Sequence, residues 1–177
     1  MGYLLFATPI GSCALAWNDA GLTAFVLPGR DQADTVRWLA RQTGTHDPAT
    51  SAEAAPPWIG ALIVQVQRHL AGDLQDFTGV PLDFSRVSLF ARRVYEAART
   101  VPAGETRTYG DLAGMLREPS ANSRTIGALM GSNPWPLIVP CHRIIGAGGR
   151  LIGFSSAGGV RLKARLLAIE GAQLLAE

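Results

Sequence analysis

The chain has 177 residues, 47% hydrophobic and 17% charged, the proportions of a globular protein with a core. It holds no run of 18 apolar residues, which argues against an apolar membrane helix, and its two cysteines, Cys13 and Cys141, are too few for a disulfide framework. The net charge of +2 hides an asymmetry: residues 1–85 carry four Arg against eight Asp and Glu, and residues 86–177 carry twelve Lys and Arg against six, which fits either a polyanion partner for the second half or a solvated Arg-rich surface.

Three short runs of β-type residues open the chain: Leu4 to Thr8, Cys13 to Trp17 and Leu22 to Leu27. Turn residues separate them, so the spacing predicts a three-strand meander. The first run has no basic stretch before it and reads as a strand, not a signal peptide, which points to a cytoplasmic protein without a membrane partner. Cys13 falls in the second strand as a small core residue. Asp31 to Gln42 has helical spacing at Ala33, Val36, Leu39 and Ala40, with Asp31 as its cap. Residues 44–57 form a loop, and His46 within it is assigned no role. Pro57 opens a second helix with a buried stripe of Ile59, Leu62, Ile63, Val66 and Leu70, ended by Gly72. His69 lies in its last turn, where an imidazole favours the helix dipole. A further strand is expected around Asp76 to Gly79. This half carries no chemistry of its own and reads as an α/β scaffold.

The second half is mainly helical. Val87 to Thr100 is expected as a helix with Leu89, Phe90, Val94, Ala97 and Ala98 as its apolar stripe and Ser88 or Ser85 as its cap. Tyr109 to Leu116 and Ala121 to Met130 follow, joined by the turn Arg117 to Ser120. This is helix-turn-helix spacing, a pattern that many proteins share without binding DNA. In the second helix of the pair, Ser123, Thr125, Gly127, Ala128 and Gly131 are small, and Arg124 alone is charged. A helix that reads the major groove carries several long polar side chains. Small residues with one projecting Arg suit close approach to a minor groove and displacement of a base, or else a tightly packed core helix. Ser132-Asn133-Pro134-Trp135-Pro136 is a rigid turn, followed by an expected strand, Leu137 to Val139.

Cys141 then sits in Ile138-Val139-Pro140-Cys141-His142-Arg143-Ile144-Ile145, a polar, nucleophilic centre between apolar pairs that favour burial. A thiol of ordinary pKa, about 8.5, needs a neighbouring base or cation to become the reactive thiolate. His142 is adjacent, but successive side chains of an extended chain face opposite ways. Contact between the two needs a turn after Cys141 or a bridging water. Glu170 ends the apolar stretch Leu166 to Ile169, where the helix dipole disfavours an acid. It is the candidate to orient the imidazole, or else an exposed end residue. His46, His69 and His142 lack metal-ligand spacing, so no metal and no cofactor are expected.

The octet from Ile138 to Ile145 resembles the active-site motif of the O6-alkylguanine-DNA alkyltransferases, also called methylated-DNA–protein-cysteine methyltransferases. The resemblance extends through Thr108-Tyr109-Gly110-Asp111-Leu112-Ala113, Arg124 in its small-residue helix, Asn133-Pro134 and Leu166 to Gly171. The first half is similar to the family's N-terminal domain from Thr8-Pro9-Ile10-Gly11 to Val80-Pro81-Leu82-Asp83. The resemblance implies a ribonuclease-H-like structural domain at 1–84 and a DNA-binding, alkyl-accepting domain at 85–177. It implies a monomer that binds duplex DNA containing O6-alkylguanine and moves the alkyl group, once, onto Cys141. In that scheme His142 deprotonates Cys141 through a water, Glu170 orients His142, and Asn133 holds the loop. Tyr109 rotates the nucleotide and donates to guanine N3, and Arg124 fills the gap in the base stack. The helix face of Ser123, Thr125, Gly127 and Ala128 meets the minor groove, and the main-chain carbonyls of Cys141 and Ile144 accept from the guanine amino group.

One stretch departs from the family pattern. Where the family has Gly-Tyr-x-Gly-Gly, this chain has Gly153-Phe154-Ser155-Ser156-Ala157-Gly158-Gly159, with phenylalanine for tyrosine and two added residues. Phe154, Ser155 and Ser156 are expected to wall the substrate pocket, and the donor to O6 is either Ser155 or Ser156. The zinc ligands of some members have no counterparts. A lesion-binding relative that flags damage without repair lacks the acceptor cysteine, and a regulator built on the family carries a further cysteine-rich domain absent from this chain.

Overall fold

The computed structural model describes residues 2–44 and 55–172. Three strands, β1 (Gly2–Thr8), β2 (Gly11–Asn18) and β3 (Gly21–Val26), form an antiparallel meander in that order. Side chains alternate along β2, as strand geometry requires. Cys13, Leu15 and Trp17 face the main core, while Ala14 and Ala16 face a smaller cluster with Leu39. In β3 the alternation shifts: Trp17 pairs with Leu22 but Ala16 pairs with Ala24. Thr23 is the extra residue of a bulge, so Leu22 and Phe25 reach the same face.

Helix α1 (Gln32–Thr43) covers the side of the sheet lined by small residues. Asp31 caps it, its carboxylate accepting from Asp34 N at 2.7 Å. Its buried residues are Asp34, Thr35 and Leu39, while the expected stripe residue Ala33 is exposed. Thr35 is drawn in because its hydroxyl bridges Gly29 N and Ser12 O. Helix α2 (Pro57–Leu70) buries Ile59, Leu62, Val66, His69 and Leu70. The loop before it was expected over 44–57; His46 lies outside the described residues. No strand forms at 76–79. Asp76 instead accepts from Thr78 N at 2.8 Å, an Asx turn. Arg99 donates to the carbonyls of Phe77, Thr78 and Val80 at 2.6 to 2.9 Å, which satisfies the turn's acceptors without a sheet.

The outer edge of β3 joins the two halves. Leu22 N donates to Pro81 O at 2.8 Å, Asp83 N to Leu22 O at 2.9 Å, and Phe25 N to Pro134 O at 2.9 Å. Trp135 Nε1 donates to Leu22 O at 2.8 Å. Gly21 (φ +142°) allows this approach: a Cβ there would lie 2.7 Å from Pro81 O. One hydrophobic cluster runs from Cys13, through α2, to Cys141 and Leu166.

In the second half α3 (Leu89–Arg99) is capped by Ser88, which accepts from Ala91 N at 3.1 Å. Its buried stripe is Ala91, Val94, Tyr95 and Ala98; Leu89, expected inside, is 81% exposed. Tyr95 wins that face by stacking edge-to-face on Trp135, with centroids 5.8 Å apart. Helix α4 (Tyr109–Leu116) starts on a capping box in which Thr108 and Asp111 exchange side-chain to main-chain bonds of 2.8 and 3.0 Å. Helix α5 (Ser123–Gly131) starts on Asn122, which accepts from Arg124 N and Thr125 N. Arg117, in the left-handed region at φ 51°, ends α4. The expected strand at 137–139 is a turn, with Leu137 at φ 80°. Its side chains are buried, at 2% exposure or less, and its pairing is limited to an isolated bridge between Val139 and Pro136. Two-residue strands β4 (Arg107–Thr108) and β5 (Ile144–Ile145) pair in parallel and set the start of α4 beside the residues after Cys141. Helix α6 (Gly159–Ile169) closes the site. Among the described residues no helix is long and apolar enough to cross a membrane.

Candidate active site

Two local turns present Cys141. Pro140 (φ −79°, ψ 64°) is the centre of an inverse γ-turn, closed by Cys141 N donating to Val139 O at 2.8 Å. A 3₁₀ turn over Cys141–Arg143 follows, with Arg143 N donating to Pro140 O at 2.9 Å and Ile144 N to Cys141 O. The chain therefore has the turn that a Cys-His pairing needs. Asn133 braces the approach: its Nδ2 donates to Val139 O at 2.9 Å and its Oδ1 accepts from Trp135 N at 2.9 Å. These bonds hold Leu137 in its unfavourable backbone region, a strain of about 1 kcal/mol or more.

Cys141 is 4% exposed. Burial pushes its thiol up; the Asn133 amide, the Lys163 ammonium and nearby main-chain N–H groups oppose that without cancelling it. It therefore rests as a thiol and needs a base at the moment of reaction. Cys13, fully buried, is pushed up to about 12, which leaves it inert.

His142 is fully buried, and its Nε2 lies 2.8 Å from Glu170 Oε1. Among the described residues its Nδ1 has no hydrogen-bond partner. A carboxylate only accepts, so Nε2 carries the proton and Nδ1 a free lone pair. Burial lowers the His142 pKa, against the pull of Glu170, which keeps this nitrogen unprotonated and able to take a proton.

Glu170 is not an exposed end residue. It caps the C-terminus of α6 and is 5% exposed. Arg143 grips it with two bonds, Nε to Oε2 at 3.0 Å and Nη2 to Oε1 at 2.8 Å, while Nη1 donates to Val101 O at 2.6 Å. Burial alone would raise its pKa. Hydrogen bonds from His142 and His69, with Arg143, outweigh burial and hold the carboxyl well below its usual range.

His69 corrects the sequence reading. It is 1% exposed, and its Nε2 lies 2.9 Å from Glu170 Oε1, so it does not serve the helix dipole at the surface. It follows Val66 by three residues, on the buried stripe of α2. That spacing was the available signal. Arg143 and Lys163 also belong to the site, although the sequence pattern assigns them no role. Lys163, the chain's one lysine, lies on the buried face of α6 with Leu162, Leu166 and Leu167. It is fully buried and donates to Ile144 O at 2.6 Å and Ile152 O at 3.2 Å, with Tyr109 Oη at 3.5 Å. Burial pulls its pKa down to about 8.

Helices α4 and α5 and residues 146–153 enclose a hollow of about 470 Å³, walled by Tyr109, Ser123, Arg124, Gly127, Ile152 and Gly153. Cys141 is not among its walls. Tyr109 Oη donates to Ile152 O at 3.1 Å, and Ile144 O already accepts from Lys163. Arg124, Ser123 and Ala128 are exposed on α5. The Thr125 hydroxyl is engaged in the cap, donating to Ser120 O and Asn122 O at 3.0 Å. Ser155 and Ser156 do not reach this hollow. They line a separate one of about 220 Å³ with Phe25, Trp38 and Asn133, and Phe154 packs on the main core. The longer loop turns Ser155 and Ser156 towards the hollow beside β3 and α1, and Gly146, Ala147, Ile152 and Gly153 wall the hollow at Tyr109. Among the described residues no group of three or more His, Cys, Asp or Glu is placed to hold a metal ion.

Residues 89–172 match the family model for the 6-O-methylguanine DNA methyltransferase DNA-binding domain. The methylated-DNA–protein-cysteine methyltransferase of Mycolicibacterium paratuberculosis is 39% identical over 86% of this chain and 88% of its own. That of Mycobacterium tuberculosis is 36% identical over 95% and 91%. The chain belongs to this family. The crystal structure of the Mycobacterium tuberculosis O6-methylguanine methyltransferase superposes with a TM-score of 0.73 at 34% identity, covering 99% of this chain and 96% of that one. A structure of that organism's protein in complex with DNA gives a TM-score of 0.70 at 33% identity, covering 96% and 93%. The family's α/β fold is thus shared, with an antiparallel three-strand sheet and surrounding helices.

Proposed function

We propose that the protein repairs duplex DNA by moving a methyl or other alkyl group from O6 of guanine onto Cys141, once per molecule. The buried Cys141–His142–Glu170 arrangement carries this reading, because His142 offers an unpartnered Nδ1 while Glu170 holds its Nε2. The thiol proton passes to that nitrogen through a water. Sulfur then attacks the alkyl carbon, a C–S bond forms and the C–O6 bond breaks; a hydrogen bond from Tyr109 to N3 stabilises the charge of the leaving guanine, which takes up the thiol proton released by His142. No step regenerates the thiol.

The hollow beside Tyr109 supports reception of a flipped base, with Arg124 at its rim and the small face of Ser123, Gly127 and Ala128 meeting the minor groove. The α4–turn–α5 pair acts as a helix-turn-helix within a DNA-binding unit at 85–177, and 1–84 forms a ribonuclease-H-like unit. Donation by Tyr109 requires its hydroxyl to leave Ile152 O. The carbonyls of Cys141 and Ile144 take the guanine amino group, each through its second lone pair. The protein acts as a cytoplasmic monomer.

Incubation with a duplex holding one O6-methylguanine, followed by intact-protein mass measurement, tests this. The expected result is a gain of one methyl group, on the peptide containing Cys141, with at most one turnover. Tight binding with unchanged mass overturns it and favours a damage-flagging protein.

A further inference from the structure

The reading above leaves the first half of the chain without chemistry. We propose that His69, supplied by α2 from that half, is a positioning residue for alkyl transfer: its Nε2–H holds the Glu170 carboxylate and limits how much of its charge falls on His142. This rests on the alkyl-transfer reading of Cys141 and deepens it.

The tautomer is fixed from the far side of the ring. Gln75 N donates to His69 Nδ1 at 3.0 Å, so Nδ1 presents a lone pair and the proton sits on Nε2. That proton points at Glu170 Oε1, 2.9 Å away. The same oxygen accepts from His142 Nε2 at 2.8 Å and Arg143 Nη2 at 2.8 Å. Arg143 already compensates the buried charge through both carboxylate oxygens, so His69 is not needed for neutrality. What it adds is a third donor on the oxygen that faces His142.

The charged and titratable groups around this carboxylate are His69 from α2 and His142 and Arg143 from the 3₁₀ turn. Asp76 of the connector acts on Arg143, with Arg99 of α3 beside it. Lys163 of α6 acts on Cys141. Each donor to a carboxylate withdraws charge from the others that share it. Removing the His69 donor concentrates that charge on His142 and favours its protonated form. The free base then appears only at higher pH, so the acid limb of the transfer rate moves upward.

The test is uptake of the benzyl group from free O6-benzylguanine by the full chain, followed across the range in which imidazole titrates. His69→Phe keeps a ring against Phe77, whose centroid lies 5.1 Å away, and deletes the donor. His69→Gln keeps a donor. The Phe variant is expected to shift the acid limb up by about one pH unit, and the Gln variant to restore the wild-type limb. An unmoved limb in the Phe variant, or the same shift in both, overturns the proposal. If the Phe variant does not fold, a long-range proton–nitrogen NMR spectrum of the wild-type ring decides: a bare Nδ1 and protonated Nε2 support it, and a protonated Nδ1 overturns it. A wild-type protein that takes up no benzyl group is followed instead with the O6-methylguanine duplex over the same pH range, where no methyl gain overturns the alkyl-transfer reading and this one together. Wild-type uptake with an unmoved limb overturns only the role of His69.

Discussion

His142 Nε2 and Glu170 Oε1 lie 2.8 Å apart, and both side chains are at most 1% exposed. Water cannot screen the pair or replace either partner, so the carboxylate fixes both the tautomer and the direction of the imidazole. Twenty-eight residues of chain separate them; the 3₁₀ turn and the end of α6 bring them together.

Glu170→Gln should slow transfer to free benzylguanine by about tenfold or more, since an amide cannot accept at both ends from His142 and Arg143. It should also cost about 3–5 kcal/mol of stability by leaving Arg143 buried without its counter-ion. Stopped-flow transfer and urea unfolding read the two effects separately. Wild-type speed would remove Glu170 from the mechanism.

Stability should fall as the medium is acidified. Burial holds folded His142 below its ordinary 6.5, and Glu170 is held far below its ordinary 4.5. The unfolded chain therefore binds protons that the folded chain does not, first at the imidazole and then at the carboxyl. Stability is full above the imidazole range and declines below it, steepening through the carboxylate range. Urea midpoints across that span check this, and a flat profile contradicts it.

Lys163→Met should reduce the reactivity of Cys141 towards iodoacetamide by several-fold, because the ammonium pulls its thiol down. The loss should be largest below about pH 8, where Lys163 carries its charge. Cys13 should stay unlabelled in both proteins.

Arg124→Ala should slow repair in duplex DNA by about tenfold while leaving uptake from free benzylguanine unchanged, since only a stacked base has to be displaced. Equal loss with both substrates would count against a base-displacing role.

Gly127→Leu should weaken reaction with both substrates. A Cβ at Gly127 lies 3.9 Å from the Tyr109 ring, ordinary contact, so alanine fits, whereas the further carbons of leucine enter the hollow. Melting temperature should change little in either variant, and a large drop would mean that α5 packs more tightly than its exposure indicates.

The sequence by itself determined the meander, the helix starts at Asp31, Pro57 and Tyr109, and the polar stretch around Cys141, while leaving Ser88 and Ser85 as alternative caps of the third helix. These are local: a cap, a proline or an alternation acts over a few residues, and a compact motif carries its own signature. It did not separate a buried turn from a strand at 137–139, because burial selects the same apolar residues as pairing does. Nor did it show that His69, Arg143 and His142 converge on Glu170, or that Ser155 and Ser156 lie against the sheet and not beside Tyr109. Those are contacts between residues far apart in the chain. Only the packing of α2, the 3₁₀ turn and α6 around one core brings three polar side chains to one carboxylate, and burial there shifts the titration of His142 and Glu170.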